Sequence, residues 1–237
     1  MPSLLHVEDV AVVFGGHRAL DGANLAAERG RVTGLIGPNG AGKSTLFDVI
    51  CGLRKPSAGR VALNGRDITR LGASRRARCG LARTFQRLEL FGRLSVRDNL
   101  LVAAELGPNR RRAASIADQV IDRLDLGEVA DASAEALPTG TGRMVEVARA
   151  LAVDPDLVLL DEPAAGLGRA ETDRLGTILR SLAADGTAVL LVEHDMGLVM
   201  DVCDEVFVLD LGRTIASGPP EAIRRDERVL AAYLGES

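Results

Sequence analysis

A nine-residue run, Gly37-Pro38-Asn39-Gly40-Ala41-Gly42-Lys43-Ser44-Thr45, constrains this chain more than any other feature. It follows a short apolar stretch, Arg31–Ile36, and opens the helical pattern Lys43–Leu53. A Gly-x-x-x-x-Gly-Lys-Ser pattern between a strand and a helix lets backbone N–H groups converge on phosphate oxygens. The helix N-terminus adds partial positive charge. Lys43 brings a compact ammonium to the β- and γ-phosphates. The Ser44 hydroxyl, with Thr45 beside it, offers one position to Mg²⁺. The expectation is an α/β fold built around a nucleoside triphosphate.

The second half of such a site is an acidic residue at a strand end. Leu157-Val158-Leu159-Leu160 reads as a strand covered on both faces and runs into Asp161-Glu162-Pro163. Asp161 supplies the carboxylate that a hard cation prefers. Glu162, one residue further, is placed to polarise a water for attack on the γ-phosphate. Thr187–Val192, another buried strand, delivers Glu193-His194-Asp195, which brings His194 towards the same phosphate. Phe14, followed by Gly15-Gly16, either stacks on adenine or fills the core.

Further strands are expected at residues 4–14, before Gly30, at Arg60–Leu63 with an Asn64-Gly65 turn, and at Val206–Leu209. Residues 88–152 read as a mainly helical insert, with Ser95 as an N-cap and Asp98 in the first turn. Arg169–Ala184 is helical. Strands alternating with helices predict a mostly parallel sheet.

Composition narrows the functions. The net charge of −4 and the scarcity of aromatics (five Phe, one Tyr, no Trp) argue against a nucleic-acid-coating surface. Three scattered cysteines form no CxxC pair, so neither a disulfide framework nor a zinc site is expected, and a reducing cytosol fits. No apolar run reaches the ~18 residues of a bilayer span, and acidic residues come too early for a secretory leader. Of 29 basic residues only Lys43 and Lys55 are lysine. Twelve arginines crowd residues 66–112 against four acidic side chains. That segment is a codon-biased solvated face, an attraction to an anionic leaflet or to membrane partners, or, least in keeping with the rest, a nucleic-acid contact.

Gly37–Thr45, Arg83-Thr84-Phe85-Gln86, Leu157–Pro163, Ala165-Gly166-Leu167 and Glu193-His194-Asp195 occur in order. Together they resemble the nucleotide-binding subunit of an ATP-binding cassette (ABC) transporter, over essentially the whole chain. Leu90-Phe91-Gly92, the Glu193–Met196 run and the tail Ala231–Glu236 look like ATPases of branched-chain amino acid (leucine/isoleucine/valine) import; relatives handling urea or short amides look similar. The resemblance implies one P-loop ABC ATPase domain over residues 1–237. Residues 1–87 and 153–237 would form a RecA-like core with an antiparallel β subdomain, and 88–152 the helical signature subdomain. It implies ATP and Mg²⁺ as cofactors. Phe14 takes the adenine-stacking position, Gly37–Thr45 is the Walker A loop, and Gln86 is the Q-loop residue near Mg²⁺ and the membrane subunits. Asp161 and Glu162 are the Walker B pair, Glu162 being the catalytic carboxylate, and His194 is the switch histidine. The partners implied are a second ABC ATPase subunit in a head-to-tail dimer, two transmembrane permeases and, indirectly, an extracytoplasmic solute-binding protein, with the chain at the cytoplasmic face of the membrane. A non-transport ABC ATPase and a nucleotide-binding regulator without hydrolysis are the alternatives.

The signature departs from the family's usual Leu-Ser-x-Gly-Gln. Here Leu137-Pro138-Thr139-Gly140-Thr141 keeps the glycine but carries proline at the serine position and threonine at the glutamine position. Pro138 removes a hydroxyl and a backbone N–H that would face the partner's ATP, yet proline is accepted in a first helical turn. Gly168-Arg169 also replaces the commoner Asn-Pro. Two readings stand: a heterodimer with one weakened composite site, or a tolerated variant with two working sites.

Overall fold

A computed structural model describes residues 3–84 and 89–234. In chain order the first half forms β1 (Leu5–Phe14), β2 (His17–Ala27), β3 (Val32–Ile36), α1 (Lys43–Cys51), β4 (Ala58–Leu63), β5 (Arg66–Asp67), α2 (Ala73–Ala77) and β6 (Leu81–Arg83). Then come α3 (Val96–Leu106), α4 (Ala113–Arg123), α5 (Thr139–Ala152), β7 (Leu157–Asp161), α6 (Arg169–Ala184) and β8 (Ala188–Val192). The chain closes with α7 (Met196–Val202), β9 (Glu205–Asp210), β10 (Arg213–Gly218), α8 (Pro220–Ile223) and α9 (Glu227–Leu234).

Two sheets divide the strands. One is antiparallel, in the order β2-β1-β4-β5. Its β4–β5 turn uses Asn64 and Gly65, both at positive φ, as a tight hairpin demands. The other runs β10-β9-β3-β8-β7-β6, parallel except for the β9–β10 hairpin. The apolar run of β7 explains its own place in that sheet. Leu157 and Leu159 face one core, shared with β1, β2 and α1, whereas Val158 and Leu160 face another, shared with α3 to α7. A strand with no polar face is stable only between two covered layers.

Within residues 88–152, the described part supplies α3, α4 and α5. Ser95 caps α3 by accepting the Asp98 N–H at 3.0 Å, and the Ser95 hydroxyl donates to the Asp98 carboxylate at 2.7 Å. The helix after the glycine-rich loop ends two residues earlier than its sequence pattern, at Cys51. Gly52 there turns left-handed (φ 76°), and the Leu53 N–H reaches back to the Asp48 carbonyl at 2.9 Å.

Arg76 of α2 completes that end of α1. It is fully buried, and its guanidinium donates to the carbonyls of Val49 (2.6 Å), Ile50 (2.7 Å), Leu71 (2.9 Å) and Thr69 (3.0 Å). Two of these, Val49 and Ile50, belong to the last turn of α1, where a cation also meets the negative end of the dipole. Arg76→Met is expected to destabilise the fold by on the order of 3 kcal/mol, because buried carbonyls lose their donors. Urea denaturation checks this, and a midpoint equal to wild type would remove the capping role.

Candidate active site

In the six-stranded sheet β3, β8 and β7 are adjacent and parallel. Their C-terminal ends therefore come out side by side, the place where open α/β sheets bind ligands. β3 delivers the loop Gly37–Gly42, β7 delivers Asp161-Glu162, and β8 delivers Glu193-His194. Residues more than 100 positions apart in sequence meet because of strand order alone.

The loop's course is fixed by what has no room for a side chain. A Cβ on Gly37 (φ 151°) would lie 2.0 Å from the Leu209 carbonyl oxygen, and one on Gly42 (φ 104°) 2.6 Å from that of Ala19. These approaches tie the loop to β9 and β2. Gly37, Pro38 and Ala41 are buried, whereas Asn39 and Gly40 are exposed at the rim. Lys43 opens α1 with its aliphatic stem buried, and its ammonium donates to the carbonyls of Gly37 (2.5 Å) and Pro38 (2.9 Å). Ser44 is exposed and Thr45 half-buried on the same first turn.

Asp161 ends β7 with 4% of its surface exposed. Its Oδ2 lies 3.5 Å from Arg83 at the end of β6, and Arg83 also pairs with Asp48 of α1 at 3.1 Å. Its Oδ1 is buried and has no hydrogen-bond donor among the described residues. Burial pushes the Asp161 carboxyl above the ordinary range, and Arg83 opposes that shift. A carboxylate oxygen held in this way is suited to a cation. Among the described residues no group of three His, Cys, Asp or Glu side chains could hold a metal by itself. Hydroxyl and phosphate oxygens would have to complete the set.

Glu162 adopts a left-handed conformation (φ 50°), and its N–H donates to the Val192 carbonyl at 2.9 Å. That turn aims the side chain across to β8, where Oε1 lies 2.9 Å from His194 Nε2. His194 is half exposed. The neighbouring Glu193 is buried and holds the frame: its carboxylate accepts the Ala164 N–H at 2.7 Å and the His194 N–H at 3.1 Å. Burial pushes Glu193 upward too. Asp195 then caps α7 through the N–H groups of Gly197 (2.8 Å) and Leu198 (3.1 Å).

The structure thus brings together Lys43, Ser44, Asp161, Glu162 and His194. Gln86 lies outside the described residues. Phe14 is 40% exposed at the end of β1, which rules out the core alternative, and the Arg54 guanidinium lies 4.3 Å from its ring centroid. Pro138 is the N-cap of α5, with its carbonyl accepting the Gly142 N–H at 2.9 Å. Gly140 is buried where a Cβ would come 2.5 Å from Glu171 Oε1, and the Glu171 carboxylate also accepts the Gly168 N–H at 2.8 Å. The start of α5 therefore packs on the start of α6. Sequence reasoning gave no role to Arg83 and Glu193. Both carried a signal, since Arg83 precedes Gln86 by three positions and Glu193 continues an apolar strand into a turn.

Known proteins share this fold and much of this sequence. Residues 20–165 match the family model described as ABC transporter, and residues 213–237 match that of the branched-chain amino acid ATP-binding cassette transporter. The chain is 38% identical to the high-affinity branched-chain amino acid transport ATP-binding protein BraF of Pseudomonas aeruginosa, over 99% of this chain and 98% of that protein. It is 39% identical, with the same coverage, to LivG of Escherichia coli, described in the same words. A solved ATP-binding cassette of an ABC transporter in its ADP conformation superposes with a TM-score of 0.89 at 30% identity, covering 99% of this chain and 100% of that one. Glycine-rich loop, paired carboxylates, histidine and full-length similarity lead to one assignment: the chain belongs to the ABC transporter family of ATP-binding subunits.

Proposed function

We propose that this chain hydrolyses ATP to drive import of branched-chain amino acids, or related small polar solutes, through separate transmembrane subunits. The supporting observation is the convergence of Lys43, Asp161 and the Glu162–His194 pair at three adjacent strand ends, in a chain whose C-terminal residues match a branched-chain amino acid family model. No described helix is long and apolar enough to cross a bilayer. In the proposed complex two permeases form the path and an extracytoplasmic binding protein delivers solute. This chain and a second ATPase subunit work at the cytoplasmic face.

Each residue's part follows from its place. Phe14 stacks on adenine from its exposed place at the end of β1. The N–H groups of the Gly37–Gly42 loop and Lys43 hold the β- and γ-phosphates. Ser44, Asp161 and Gln86 are the candidate holders of Mg²⁺, and the buried Asp161 Oδ1 fits that role. When bound, the cation would neutralise charge on the phosphate oxygens. Glu162 orients a water and accepts its proton as the water oxygen bonds to the γ-phosphorus. The bridging P–O bond breaks and its electron pair leaves with ADP, so ATP and water become ADP and phosphate. His194, hydrogen-bonded to Glu162, fixes that carboxylate and can donate to a γ-phosphate oxygen.

The signature 138–141 would face the partner's ATP. Pro138 has no N–H to offer there. The proposed assembly is therefore a heterodimer in which the site on this chain's own Lys43 turns over and the site completed by Pro138–Thr141 is slow.

Three measurements test this. Lys43→Ala is expected to weaken ATP binding about 100-fold, read by fluorescent-nucleotide titration. Glu162→Gln should keep nucleotide affinity and lower the turnover of the reconstituted transporter by roughly 10² or more. The matching Glu→Gln change in the partner subunit should cost far less; equal losses would point to two working sites. Reconstituted vesicles should accumulate leucine, isoleucine or valine only with ATP on this chain's side, and failure with all three would remove the substrate assignment.

A further inference from the structure

Seven residues along α5 from Thr139, about 10 Å at 1.5 Å per residue, stands Glu146, a carboxylate 6% exposed that takes no part in the chemistry above. Its Oε1 accepts the Glu89 N–H at 2.8 Å, and its Oε2 pairs with Arg143 at 3.0 Å. One turn on, Arg149 donates to the Glu89 carbonyl and lies 5.0 Å over the Phe91 ring. From α3, the fully buried Asn99 accepts the Phe91 N–H at 2.9 Å and donates to the Phe91 carbonyl at 3.1 Å. The backbone of Glu89 and Phe91 is thus held at both its donors and both its acceptors by side chains of the insert. Glu89, Phe91, Glu146 and Arg149 all line one open groove of about 410 Å³ between insert and core.

Thr84 is held differently. Its N–H donates to the Leu159 carbonyl at 2.9 Å, and its hydroxyl accepts the Asp161 N–H at 3.2 Å. Only four residues, 85–88, separate this anchor on β7 from the anchor on α5. A buried carboxylate is an expensive way to gain stability, since an apolar side chain of equal volume is often as good or better. What the carboxylate adds is a defined acceptor at one place.

We infer that Glu146 is a positioning residue: by fixing Glu89 to α5 it makes the chain after residue 88 and the signature end of α5 move as one piece. This rests on the reading of Gln86 and of Pro138–Thr141 given above. Pressure on the groove at Phe91 then displaces the start of α5, and with it the contact to the partner's ATP. An α5 displaced by nucleotide conversely shifts Glu89 and the groove floor.

The test uses the transporter purified through a tag on this chain. Glu146→Met keeps the volume and removes the acceptor; Glu146→Gln keeps an acceptor for the Glu89 N–H. E146M is expected to lower the solute moved per ATP hydrolysed about tenfold, with an unchanged KM for ATP and an unchanged thermal midpoint, while E146Q retains most of that coupling. Glu89→Pro, which removes the donor from the other side, should reproduce E146M and carries the same test should E146M not fold. Wild-type transport per ATP in E146M, or equal losses in E146M and E146Q, would overturn the inference. Hydrogen–deuterium exchange adds a readout independent of turnover. On adding ATP, amides at 89–91 and 139–142 should slow together in wild type and separately in E146M; slowing together in E146M overturns the inference. A wild type that binds ATP without hydrolysing it would instead sink the proposed function, with the exchange result still standing.

Discussion

The parallel ladder β3-β8-β7 is the constraint on which everything else rests. Leu35 pairs with Val192 and Val192 with Asp161, so one register sets the level at which all three strands end. A slip of one residue in any of them would exchange the two cores' side chains and carry Asp161 and Glu162 to the wrong height. The two apolar cores lock that register from both faces. Stability and chemical geometry are therefore the same fact in this sheet, and the layers have no freedom to drift without disturbing the site.

Much of this was legible in the chain. The glycine-rich loop, both buried strands with their acidic ends, and the Ser95 cap carry local signals, because spacing and side-chain type alone dictate them. What sequence could not supply were contacts made across long separations. That Arg83 reaches Asp48 and Asp161, that Glu193 braces the Ala164 and His194 amides, and that Arg76 closes α1 are consequences of packing, with no periodicity to announce them. Phe14 shows the opposite limit: aromatic character left a core reading open, and its exposure removed that reading. The end of α1 was missed by two residues because apolar spacing continues past Gly52 while the backbone does not.

The site separates rigid from adaptable parts. Gly37 and Gly42 are held against neighbouring carbonyls with no space to spare, and Asp161 and Glu193 are buried. Glu162 is partly buried and His194 exposed, and the two touch each other through one hydrogen bond. The proposed roles fit that division: the groups assigned to the phosphates are packed in place, and the pair assigned to the γ-phosphate is joined by a single side-chain contact. The helical insert, whose α5 starts on α6 and whose later turns carry Glu146 and Arg149, spans from α6 to the groove.

Arg76 gives the arginine-rich composition a different meaning. Most exchanges between lysine and arginine on a surface are freely reversible. At this buried position four carbonyls lie around a planar fork, and a lysine's three donors at a single point cannot reach them all. A drift of composition towards lysine would therefore meet a barrier at Arg76 that it would not meet at the exposed Arg110 or Arg111.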